Sequence, residues 1–175
     1  IKGMADSNGF GCLNFTREVV AKYLEYRQGK RPHESWMNTY LKFEKALAGH
    51  ETDDVESLKI WNSVAFYNYI QTAYISESRQ AYTSDDYAQS FPYFKKVMND
   101  LNPDVIIVWG NRLWSNLPDE NWKDGGVVSA AGIEEDFGYY SLSNGKKVLT
   151  IRVTHPTAGF PWEAYGEIIK KAFAL

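Results

Sequence analysis

A single cysteine, Cys12, among 175 residues excludes an internal disulfide and a closed zinc site built from thiolates, and it fits a reducing, cytoplasmic setting. Long apolar runs are missing too. The longest, "VIIVW" from Val105 to Trp109, is far shorter than the roughly 18 to 20 residues needed to cross a bilayer, so a soluble protein with no membrane partner is expected. Basic charge is not in excess: 19 Lys and Arg stand against 22 Asp and Glu, a formal net charge of −3. That balance argues against holding nucleic acid by bulk electrostatics and confines any such role to a local site. No basic-then-apolar leader opens the chain, and its first residue is Ile1 rather than Met, which leaves a trimmed, processed or incompletely represented start open. Repeats and low-complexity segments are absent.

What is present is apolar and aromatic. A hydrophobic fraction of 44%, with 15% aromatic residues, suffices for one sizeable core, so a single domain over residues 1–175 is expected. After a glycine-bearing opening loop, Thr16 is positioned to cap a helix with Val19, Val20, Tyr23 and Leu24 on one face and Gly29 as its stop. Ser35 is read as the cap of a second helix that carries Met37, Tyr40, Leu41, Glu44 and Leu47 and closes at Gly49. The β-branched and aromatic "IWNSVAFY" fits a helix loosely and a buried strand better, at roughly 59 to 65. The polar "SESRQAYTSDD" reads as a surface excursion. Ser90 then caps a helix with Pro92 in its first turn and Phe94, Val97, Met98 and Leu101 facing inward.

"NPDVIIVWG" is the most secure strand: an unbroken apolar run after a helix-ending Pro and before Gly110. "FGYYSL", the turn at Asn144-Gly145 and "KKVLTIRVT" form a hairpin leading into a last strand. A final helix starts at Pro161, with Trp162, Tyr165, Ile169 and Phe173 on one side. Alternating helices and buried strands imply an α/β fold, a sandwich on a short, mostly parallel sheet.

In open parallel sheets ligands bind at the carboxyl ends of the strands, which singles out Asn62, the turn "GNRLW" and "THPTAGF". His155 directly follows the last strand, and Pro156 fixes the backbone so that the imidazole is held at the rim. The competing reading is a histidine that only satisfies a neighbouring backbone group. Asn62 offers a donor and an acceptor on one planar amide, which suits the edge of a heterocyclic base, or else it ends a strand or turn. Phe15 offers a stacking face, or else it is a core staple beside a helix start.

The order of "IWNSVAFYN", then "LNPDVIIVWG", then "VLTIRVTHPTAGF" before a terminal helix resembles the uracil-DNA glycosylase superfamily over roughly residues 15–175. That family has an Asn-bearing strand, a Leu-x-Pro-x-Val-Ile-x-x-x-Gly strand and a late His-Pro-Ser/Thr motif. The resemblance implies a three-layer α/β/α sandwich and a DNA base-excision glycosylase that hydrolyses the N-glycosidic bond of a flipped uracil or related damaged base, with no metal and no cofactor. By motif, His155 would stabilise the departing base as it gains negative charge. Asn62 would read that base and Phe15 would stack on it. Thr157 to Trp162 would match the loop entering the DNA minor groove, with Thr157, Phe160 and Trp162 as the contacting residues and Phe160 or Trp162 as the apolar wedge.

The family's water-positioning motif, Gly-x-x-Pro-Tyr or similar, has no counterpart before Phe15, where Asp6 and Asn8 occupy the region in a different pattern. The alternative is therefore a catalytically silent member of the same fold that binds a nucleotide, a nucleic acid or a protein. A Gly-Asp-Ser esterase, which also ends in His-Pro, is disfavoured because Arg152 stands where its Asp would be and no G-x-S-x-G elbow exists.

Overall fold

The computed structural model describes residues 15–70, 82–157 and 159–175, Phe15 by its backbone alone. Helices α1 (Phe15–Arg27), α2 (Met37–Ala48), α3 (Asp54–Ser63) and α4 (Ser84–Leu101) precede strand β1 (Val105–Trp109). The short α5 (Asn111–Trp114), β2 (Trp122–Ala130), β3 (Ile133–Ser141), β4 (Lys147–Val153) and α6 (Trp162–Ala172) follow. The four strands form one open sheet in the order β1-β4-β3-β2. Val105–Trp109 and Leu149–Val153 are paired in parallel, residue for residue, as neighbours in one sheet.

The sheet is mixed rather than mostly parallel: β4 with β3 and β3 with β2 are both antiparallel. The physical reason is the pair of tight turns. Gly145, at φ 84°, donates its N–H to Leu142 O and closes β3 onto β4, and Ala131 and Gly132, both at positive φ, close β2 onto β3. Only the β1-to-β4 connection is long enough to return in parallel.

Alternate residues of the central strands serve opposite faces. On one face Tyr140 and Val148 pack with Tyr87, Phe94 and Met98 of α4. On the other, Phe137 and Ile151 pack with Ile168 and Ala172 of α6. A third cluster joins α1, α2 and α3 through Tyr23, Met37, Phe43 and Trp61 and reaches the sheet at Val153. At its centre Glu44 is fully buried, with Oε2 accepting from Tyr23 Oη at 2.8 Å, Trp61 Nε1 at 2.8 Å and Ser57 Oγ at 2.6 Å. Its other oxygen accepts from Thr52 Oγ1 and faces Arg27 Nη2 at 3.5 Å. A buried carboxylate is tolerable only when so surrounded.

Several element expectations are corrected. Residues 54–63 are helix α3, not a strand, because Asp53 caps that helix by accepting from Glu56 N–H at 2.8 Å. The helix expected from Ser90 starts at Ser84 behind a capping box of Thr83 and Asp86, which leaves Pro92 inside it. Thr16 lies within α1 instead of capping it, and Ser35 makes no cap because Trp36 precedes α2 without a side-chain bond. Leu101 and Phe173, expected inward, are more than half exposed at the trailing ends of their helices. Among the described residues no helix is long and apolar enough to cross a membrane.

Candidate functional site at the carboxyl ends of β1 and β4

Parallel pairing brings the ends of β1 and β4 to the same edge, with Trp109 opposite Val153. The turns after them meet there. Gly110 N–H donates to Val153 O at 2.7 Å, and Gly110 adopts φ 92°. A Cβ on Gly110 would stand 3.3 Å from His155 Cβ, so both the backbone angle and the close approach call for glycine. The indole of Trp109 meets the imidazole edge-on, with centroids 5.7 Å apart at 78°. Two of the three strand-end segments expected to carry chemistry are thus in contact.

Pro156 is buried, and Thr157 N–H donates to His155 O at 2.7 Å across it, a three-residue turn that suits the fixed φ of proline. Lys42 of α2 donates its Nζ to Thr157 O, tying this turn to the helical layer. The imidazole is therefore held by its backbone and by Trp109. Among the described residues neither of its ring nitrogens has a hydrogen-bond partner. The other two histidines differ: His33 faces Asn38 at 3.0 Å and His50 faces Glu56 at 2.8 Å. Although His155 is exposed as a residue, desolvation of its ring by its neighbours lowers the pKa and favours the neutral imidazole, which carries one N–H donor.

Behind Trp109 lies a run of half-buried aromatic rings. Phe66 is 5.0 Å from it and Tyr40 6.0 Å, and Tyr40 in turn touches Trp61 at 5.4 Å. Burial raises the Tyr40 phenol to about 12, so it stays protonated. Gly110 belongs to the "GNRLW" turn that the sequence singles out, whereas Trp109, Phe66 and Tyr40 are not site candidates from the sequence. The signal for Trp109 was the strand end itself, whereas Phe66 and Tyr40 are brought in only by tertiary packing.

The remaining expected residues are spread around this edge. Asn62 is exposed on the last turn of α3, one residue beyond the buried Trp61, and not at a strand end. Phe15 opens α1, and its side chain lies outside what is described. Thr157 is exposed. Phe160 is only 5% exposed and stacks on Tyr165 at 4.2 Å and 4°, which places it in the core. Trp162, half-buried at the start of α6, lies under Lys45 Nζ at 5.7 Å. Neither of the two described cavities is lined by Asn62 or His155. Among the described residues no group of three or more His, Cys, Asp or Glu could hold a metal ion. Asp6 and Asn8 lie outside the described residues. Protein-family models, curated proteins and solved structures were compared with the chain, and none matches it.

Proposed function

We propose that this chain handles an extrahelical DNA base in the manner of a uracil-DNA glycosylase, on a three-layer α/β/α sandwich, and hydrolyses the N-glycosidic bond of uracil or a related damaged base in the cytoplasm. The observation that carries the reading is the His155 imidazole at the carboxyl edge of a parallel strand pair, against Trp109 and with no hydrogen-bond partner for its ring nitrogens among the described residues. As the bond from sugar to base lengthens, negative charge grows on the base, and a fixed neutral N–H donor stabilises that charge with little reorganisation. Water completes the hydrolysis, giving the free base and an abasic sugar. Asn62 is the proposed base reader and Phe15 the stacking partner. Thr157 and Trp162 are the proposed DNA contacts, the wedge falling to Trp162 because Phe160 is buried against Tyr165.

A second reading, a binding-only member of the same fold, is favoured by one arrangement: Asn62 stands on an exposed helical turn, and no described cavity contains it or His155. One experiment separates the two. The protein is incubated with oligonucleotides carrying uracil, hypoxanthine or undamaged bases, and base release and binding are both measured. Release from uracil DNA, falling about 10² to 10³-fold in His155→Ala with binding little changed, is the expected result. No release from any substrate rejects the enzyme, and specific binding in the same samples supports the silent reading.

A further inference from the structure

The ladder between β3 and β4 ends at Phe137 opposite Ile151, although β3 begins at Ile133 and β4 runs on to Val153. The sheet therefore splits on the side where His155 emerges. Side chains bridge the split. Arg152 Nε donates to Glu135 Oε2 at 2.6 Å, and its Nη1 lies 2.9 Å from Asp136 Oδ2. Glu135 is 3% exposed, and its second oxygen accepts from Tyr165 Oη at 2.7 Å. The ring of Tyr165 carries the stacked Phe160. Arg152 stands three residues before His155 on β4, and Phe160 lies five residues after it, so one side chain of α6 is tied to the chain on both sides of the imidazole, through Glu135 on one side and by stacking on the other.

We propose that Tyr165, locked in place by Glu135 and Arg152, is a positioning residue that clasps the end of β4 to Phe160 so that His155 is kept against Trp109 and Gly110. The consequence for catalysis rests on the base-release reading, whereas the clasp itself does not. A buried tyrosine that merely satisfies its hydroxyl would contribute to stability but would leave the imidazole where it is. A clasp sets the position of the ring.

The test compares the full chain with Tyr165→Phe, which keeps the stacked ring but removes the hydroxyl, and with Glu135→Gln. The His155 ring resonances report the ring-current field of Trp109, and the Thr157 amide reports the turn it closes onto His155 O. In Tyr165→Phe the His155 resonances should move toward unshifted values, and the Thr157 amide should exchange at least about tenfold faster, the factor expected for losing a hydrogen bond to a charged acceptor. Amides of α1 to α3 should keep their rates. Glu135→Gln should move both reporters in the same direction by less, and it decides the question if Tyr165→Phe does not fold. On uracil DNA the turnover rate of Tyr165→Phe should fall about tenfold with KM unchanged, the pattern of a mispositioned transition-state donor. A wild-type protein that releases no base removes the base-release reading, while the resonances and amide rates still judge the clasp. Unchanged His155 resonances and Thr157 exchange in both variants, or equal acceleration of every amide, overturns it.

Discussion

A histidine that is partly desolvated favours its neutral form, and His155, just past the end of β4, is in that position. Its folded-state pKa is below the ordinary value near 6.5, so the unfolded chain binds the proton more readily. The sign follows: the contribution to stability is complete above about pH 6.5 and is lost as pH falls through the lower folded-state value. NMR titration of the imidazole should give a midpoint below about 6.5, and a midpoint at or above that value would sink both the neutral-donor argument and the pH dependence. Sequence alone located this residue, because His-Pro after a β-branched run fixes a strand end. It could not supply the indole beside the ring, since that depends on β1 lying next to β4 across more than forty residues of chain. Phe160 shows the opposite limit. An aromatic in a loop beside a His-Pro motif looks like a projecting wedge, and only the stacked Tyr165 shows that it turns inward.

Among the elements, the three N-terminal helices are joined by one carboxylate as well as by their apolar faces. Tyr23 from α1, Ser57 and Trp61 from α3 and Thr52 from the preceding loop all point their protons at Glu44 of α2. Burial and the charge of Glu44 both raise the Tyr23 pKa, so its phenol remains a donor throughout the ordinary pH range. Replacing Glu44 by Ala strands these buried donors and leaves Arg27 without its anionic neighbour, so unfolding free energy should fall by about 3 to 5 kcal/mol. Denaturant titration checks this, and a loss below about 1 kcal/mol would show that water or repacking replaces the carboxylate. The spacing of Met37, Tyr40, Leu41, Glu44 and Leu47 on one helical face already put a Glu on the inward side, yet nothing local named its partners. Misread elements have equally specific causes. "IWNSVAFY" carries strand-forming residues, but the signal that mattered was upstream, in the cap at Asp53. Strand β2 went unseen because Gly125 and Gly126 interrupt it. The register shifts there, and a Cβ on Gly125 would stand 2.3 Å from the Phe137 ring.

At the scale of the whole molecule, the sheet places its most enclosed strand next to an open edge of the site. β4 has a neighbour on each side, and Val148, Thr150, Ile151 and Val153 are fully buried. β2, by contrast, is an edge strand with a bulge and a mostly exposed face. Amides in the middle of β4 therefore lose their bonds only when the sheet itself comes apart, whereas those of β2 can open locally. Native-state hydrogen exchange should rank β4 slowest, with outer β2 amides at least about 10²-fold faster, a gap of roughly 2.7 kcal/mol in opening free energy. Equal protection of the two strands would mean that the sheet opens as one cooperative unit, and faster exchange in β4 would contradict the topology. The ranking matters for the site because His155 is carried two residues beyond the end of the β4–β1 pairing, just where β3 has already left the ladder. A rigid strand followed at once by a short buried proline turn gives a fixed point of attachment for a donor, and the split beside it leaves room for a polar clasp instead of another strand.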